Sequence, residues 1–170
     1  LKKFAKQLDF FVAPVDETVR HQAFEIAIKL RKKYSVDVDL VGRKLSKQLE
    51  YANYLGAKKV VEIGTLAGYS GVCIARGLPP DGKLFTFEFE PKHAEIARES
   101  FKKAGVEKKV SLFVGAALDK LKEIEKEGPF DLVFIDADKE NYPHYLEWAH
   151  KNLRVGGAVL GDNTFAWGMI

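Results

Sequence analysis

The sequence holds a single cysteine, Cys73, so no disulfide framework can form within the chain. It lies in the apolar stretch Gly71-Val72-Cys73-Ile74-Ala75 and reads as a buried, inert thiol. No run of 18 apolar residues occurs, and no signal-peptide pattern opens the chain. A cytoplasmic protein with no membrane contact is the expectation. Charge of one sign is lacking too: 27 Lys and Arg stand against 24 Asp and Glu, a net +3 spread along the chain. That excess gives nucleic-acid binding little support. Asn and Gln are few beside Lys and Glu, a pattern of heat-adapted proteins. Repeats, low-complexity tracts and linkers are also missing. What remains is 170 residues, 46% of them hydrophobic, enough for one domain over 1–170 with its own core.

Hydrophobic spacing divides that domain in two. Residues 1–56 read as N-terminal helices, about Asp16 to Tyr34 and Leu40 to Leu55. Phe10-Phe11-Val12 ahead of them reads as packing, with capping of a substrate cleft as the rival. From 57 to 170 short apolar runs alternate with helical patterns. Strands are expected at 59–63, 83–87, 109–114, 130–135 and 158–161. Helices are expected at 69–76, 91–104, 118–126 and 141–152. Pro91 opens one helix and Gly105 stands where its C-cap belongs. Such alternation predicts an α/β fold, a doubly wound, mostly parallel sheet with right-handed crossovers. Ligands bind such sheets beyond the carboxyl ends of the strands.

The loops at that edge carry the chemistry. The first reads Glu62-Ile63-Gly64-Thr65-Leu66-Ala67-Gly68-Tyr69-Ser70. Its glycines, Gly64 and Gly68, let backbone approach a ligand closely. The spacing is not the G-x-G-x-x-G of dinucleotide sites, and Glu62 stands near the place a pyrophosphate would occupy. A ligand with a cationic amino group suits it better. Strand two ends at Glu88, an acid placed to accept hydrogen bonds from ribose hydroxyls, with Glu90 as its rival. Gly115-Ala116-Ala117 are small enough for an adenine ring to lie on backbone. The fourth strand ends in Asp136-Ala137-Asp138-Lys139 and the fifth in Asp162-Asn163-Thr164. Asp136, Asp162 and Asn163 are hard oxygen donors without His or Cys, which favours Mg²⁺, Mn²⁺ or Ca²⁺. Lys139, beside such a metal, is the candidate general base. Helix capping and tight turns are the ordinary alternatives for each loop taken alone.

Three segments together resemble the cation-dependent O-methyltransferases, which include the catechol and caffeoyl-CoA O-methyltransferases. They are Val61 to Thr65 with Gly68-Tyr69-Ser70, Phe130 to Lys139 with Asn141-Tyr142, and Gly156-Gly157 with Asp162-Asn163-Thr164. The resemblance implies a Rossmann-like core of the class I S-adenosylmethionine (SAM) methyltransferase type. It implies that Glu62, Gly64, Thr65, Gly68 and Ser70 surround the methionine part of SAM. Glu88 would hold the ribose, Ala117 would border the adenine, and Asp138 would also touch the cosubstrate. Asp136, Asp162 and Asn163 would bind a divalent cation, making Asp136 catalytic together with Lys139, the acceptor of the substrate proton. The implied substrate is a small phenolic vicinal diol, and a homodimer is expected.

Two departures qualify the likeness. Family members carry an aromatic soon after the Asp-Asn pair, whereas here Trp167 comes one residue later. They also continue through two further strands, so a C-terminally incomplete core is expected. A nicotinamide dehydrogenase would need a different glycine spacing. A nucleic-acid amino-methyltransferase would show an Asn/Asp-Pro-Pro-Tyr-like loop where Asp136 to Lys139 stand. A non-catalytic SAM-binding protein is the non-enzyme alternative. The four histidines, His21, His93, His144 and His150, read as solvent-facing helix positions.

Overall fold

The computed structural model describes residues 10–12, 28, 31–32, 36–38 and 57–162. The predicted helix over 40–55 and most of that over 16–34 lie outside the described residues, although Ile28 is helical. Two short strands lie in this part, β1 (Phe10–Val12) and β2 (Val36–Val38), paired in parallel. The first was read as packing or a cap, and the second was not expected.

The rest follows the predicted alternation. In chain order come β3 (Lys59–Ile63), α1 (Tyr69–Gly77), β4 (Lys83–Glu88), α2 (Pro91–Lys103) and β5 (Val110–Val114). Then follow α3 (Ala117–Lys120), β6 (Phe130–Ile135), α4 (Tyr142–Asn152) and β7 (Leu153–Gly161). β3 to β7 form one sheet in the order β5-β4-β3-β6-β7, every pair parallel. The chain winds outward from β3 to β5, then returns across β3 to place β6 and β7 on its other side. The switch in direction therefore falls between β3 and β6, where open α/β sheets leave a crevice.

Alternate residues of the strands feed two cores. On one face Val60, Leu84, Leu132, Phe134 and Leu160 meet Ile74, Ala75 and Leu78 around α1, with Ala97 and Phe101 of α2. On the other, Val61, Ile63, Phe85, Phe87, Val133 and Ile135 meet Leu121, Ile124, Tyr142, Tyr145 and Ala149. Cys73 is only partly buried, at the margin of the first core, rather than fully enclosed.

Two local departures have physical causes. The helix expected over 118–126 is a single α-turn, α3, followed by a 3₁₀ helix over Leu121–Glu127. Leu121 and Ile124 are its buried residues, and a three-residue turn puts both on one side. β7 starts at Leu153, five residues early, because Phe130 pairs with Leu153 before the expected turn. The ladder then skips to Leu132↔Ala158, so the bulging stretch 154–157 absorbs Gly156 at φ +76°. The close of α2 is as predicted. Gly105 at φ +68° donates to the Lys102 carbonyl and Val106 to the Phe101 carbonyl, the two-bond seal that needs a left-handed residue.

Candidate active site

The five strand ends release their loops at one level. Gly64 donates to Phe87 (3.0 Å), Asp136 to Ile63 (2.8 Å), Gly115 to Glu88 (2.9 Å) and Asp162 to Ile135 (2.8 Å), so the ladder closes across the whole edge. Above it lies a cavity of about 800 Å³, within the range of small-molecule sites. Gly64, Thr65, Ser70, Glu88, Ala117, Asp136 and Asp138 all line it. Asn141 and Tyr145 line it as well, and sequence reasoning gave them no role.

Gly64 makes the crevice possible. Its φ is +100°, and a Cβ there would stand 1.9 Å from the Asp136 carbonyl oxygen. The glycine loop and the acidic loop therefore touch backbone to backbone. Gly68, at φ +85°, serves the turn instead: a Cβ there would meet the Phe101 ring at 3.2 Å, away from the cavity. Leu66 has a positive φ of 47° and is exposed at the cavity rim. Its N–H is fixed by Glu88 Oε2 at 2.7 Å.

Glu88 is nearly buried and reaches both neighbouring loops. Its other oxygen, Oε1, accepts from the Glu90 N–H at 2.9 Å, and His93 Nδ1 lies 3.5 Å away. Glu90 turns away from the cavity and caps α2 through the Lys92 N–H. His93 keeps a partly exposed side chain beside the candidate ribose acid, and His144 and His150 are exposed as expected. His21 lies outside the described residues.

Glu62 is wholly buried and sits beneath the cavity rather than in its wall. Its Oε2 accepts from Thr86 Oγ1 (2.6 Å), which meets Thr65 Oγ1, while Oε1 has no hydrogen-bond partner among the described residues. Burial pushes its pKa up to about 7. The Ser70 and Thr86 hydroxyls pull it down, and the Asp136 and Glu88 charges raise it further. The folded protein should then hold a proton on Glu62 that the unfolded chain has already lost. In metal-free protein, Glu62 should therefore lower stability as pH rises from about 4.5 to about 7, with no further loss above. Glu62→Gln should remove roughly 3 kcal/mol of that fall, read by urea unfolding at several pH values. Identical pH dependence in both proteins would sink this assignment.

The acidic loop is held from behind. Asp138 accepts from Tyr145 Oη at 2.7 Å and from Asn141 Nδ2 at 2.5 Å. Tyr142 and Tyr145 stand three residues apart on α4, so both rings face the same strand ends. That spacing was the signal that could have found them. Burial pushes both phenols above their usual range; the Asp138 hydrogen bond adds to it for Tyr145, and the Asp136 and Asp162 charges for Tyr142. Lys139 Nζ donates to the Asp162 carbonyl (2.7 Å) and to Tyr142 Oη (3.0 Å), just behind the cavity wall.

Asp136 and Asp162 are the first residues past the paired ends of neighbouring strands, Ile135 and Gly161. Asp162 is nearly buried and Asp136 exposed to the cavity. Their carboxylates suit a hard divalent cation. The predicted third ligand, Asn163, lies outside the described residues. Among the described residues no three His, Cys, Asp or Glu side chains converge on a metal-sized site. No helix among them is long and apolar enough to cross a membrane.

Comparison with known proteins is specific. An O-methyltransferase family model matches residues 41–170. A catechol O-methyltransferase of Mycobacterium tuberculosis is 48% identical over 119 residues, covering 70% of this chain and 54% of its own length. One from Niastella koreensis is 43% identical over 116 residues, covering 67% of this chain and 52% of its own length. The chain thus spans about half the length of these relatives. A crystal structure of an O-methyltransferase from Bacillus cereus with S-adenosylhomocysteine (SAH) superposes with a TM-score of 0.59 at 36% identity, over 82% of this chain and 63% of that one. An SAH-bound methyltransferase from Podospora anserina gives 0.68 at 32% identity, over 86% and 63%.

Proposed function

Because the chain belongs to the O-methyltransferase family, we propose that it transfers a methyl group from SAM to one oxygen of a small phenolic vicinal diol, with a divalent cation at Asp136 and Asp162. The observation that carries this reading is the meeting of the Gly64 loop with the Asp136 loop at the switch point, backbone against backbone. It puts a cosubstrate cavity and a pair of hard carboxylates side by side. SAM and SAH are the ligands of related solved enzymes.

Within the cavity Thr65, Ser70 and Asp138 would face the amino-acid part of SAM. Glu88 would take the ribose, and Gly115 to Ala117 the adenine face. Glu62 would act from beneath, through Thr86 and Thr65, rather than as wall. Asp136, Asp162 and Asn163 would hold the cation, which supplies positive charge that makes a nearby hydroxyl more acidic. Lys139 would accept that hydroxyl's proton. An O–CH₃ bond forms as the S–CH₃ bond breaks, leaving SAH. The chain's contribution is mainly orientation of the two reactants. A homodimer and a cytoplasmic setting are further parts of this proposal.

Methyl transfer to a panel of vicinal diols, with Mg²⁺, Mn²⁺, Ca²⁺ or EDTA, tests it. Turnover should require the metal, and SAH should raise the unfolding temperature where NAD does not. Full turnover in excess chelator would overturn the cation assignment. SAH binding without turnover on any diol would favour a non-catalytic SAM-binding protein.

A further inference from the structure

Behind the candidate base stands a group the reaction scheme does not use. Tyr142 opens α4 and is among the largest fully buried side chains. Its hydroxyl lies within hydrogen-bond distance of two carbonyls, Ile135 at the end of β6 (2.7 Å) and Asp162 at the end of β7. It also accepts from Lys139 Nζ at 3.0 Å, and that ammonium lies 4.3 Å from the centre of the tyrosine ring. A phenol has one hydrogen to give and lone pairs to receive with. It therefore serves one of the two carbonyls at a time, and Lys139 supplies the Asp162 carbonyl with a second donor at 2.7 Å. The Ile135 carbonyl has another donor as well, the Asp162 N–H at 2.8 Å. The hydroxyl can turn toward Asp162 without leaving Ile135 unbonded.

This arrangement has two settings. With Lys139 seated on Asp162, the tyrosine hydrogen can serve Ile135, 2.7 Å away. With Lys139 drawn toward a substrate hydroxyl, the hydrogen can swing to Asp162, and the loop that bears the candidate metal ligand keeps its place. We propose that Tyr142 is a positioning residue: it tethers Lys139 to the joined ends of β6 and β7 and takes over the Asp162 carbonyl when Lys139 leaves it. The proposal rests on Lys139 being the base, and the test separates the two.

Tyr142→Phe keeps the ring and removes the hydroxyl. It should lower kcat by roughly 10-fold, the low end for a group supporting a reacting residue. KM for SAM and SAH affinity should stay unchanged, which a general loss of packing would not achieve. In a Lys139→Met background the same change should cost almost nothing further, because its partner is gone. A full additional 10-fold loss there, or wild-type kcat in Tyr142→Phe, would overturn the tether. If Lys139→Met itself keeps the wild-type rate, the base assignment fails. The tether is then decided by unfolding temperatures of the two single variants and the double: non-additive losses support it, additive ones reject it. SAH present throughout holds marginal variants folded.

Discussion

Replacing Lys139 with Met is expected to lower kcat by roughly 10²–10⁴-fold, the usual contribution of a positioned general base. The loss should fall on kcat, because Lys139 lies behind the cavity wall and makes its hydrogen bonds to Tyr142 and Asp162. SAH affinity should persist, as should the proposed requirement for a cation. Lys139→Arg is the sharper variant. It keeps the positive charge, and a guanidinium in a protein does not give up its proton. If Lys139 served only as a charge, arginine would retain most of the rate. If it accepts a proton, arginine should be nearly as slow as methionine. Steady-state kinetics on the best diol found in the metal screen decide between the two. An arginine variant within a few-fold of wild type would end the base assignment.

Gly64→Ala is expected to be the most damaging single methyl group in the described structure. Its positive φ of 100° alone costs an L-residue about 1–2 kcal/mol. The added Cβ would stand 1.9 Å from a backbone oxygen, so the β3 and β6 loops must part, for about 1–3 kcal/mol more. Gly105→Ala supplies the control. It shares a positive φ of 68°, but no atom lies within 4 Å of the added carbon. Its loss should therefore stop near the backbone cost. Urea unfolding should rank wild type, Gly105→Ala and Gly64→Ala in falling stability, and SAH binding should be weakened in Gly64→Ala alone. Equal stability of the two variants would mean that the loops yield without cost.

The comparison of Gly64 with Gly68 shows where sequence reading reached and where it stopped. Both were legible as glycines of a ligand loop, because one short apolar strand ended at the loop they share. Only the tertiary contacts separate them: one faces Asp136, the other the Phe101 ring. Strand cores were legible wherever a buried run was bounded by turn residues, and β3 and β6 fall on the expected residues. β7 was half-seen, since Val155-Gly156-Gly157 reads as a turn, whereas the ladder tolerates it as a bulge. The 3₁₀ stretch after α3 was read as α-helix, because a window of nine residues cannot distinguish periods of 3.0 and 3.6. In the site, Glu88 was separable from Glu90 by the proline that follows, and it is Glu88 that lines the cavity. Glu62 is expected around the methionine part of SAM. Its sequence position placed it at the strand end, but not that its side chain points down into Thr86. Tyr142 and Tyr145 escaped because aromatic residues at helical spacing ordinarily signal packing, and these two do pack. Their second use depends on hydroxyl partners at the ends of β6 and β7 and in the loop after β6.

The two carboxylates at Asp136 and Asp162 leave neighbouring strands one residue past a paired rung, Ile135↔Gly161. Their anchor points are consequently set by the rung spacing of a β-ladder, about 4.8 Å, a dimension that no side-chain substitution can alter. For the proposed cation site, the sheet would act as a gauge block for its bite. Retuning it for a wider ion or a longer chelate would have to come through ligand length, as in Asp162→Glu. The exposed side chains of Leu66 and Phe89 at the rim can vary without disturbing that calibration.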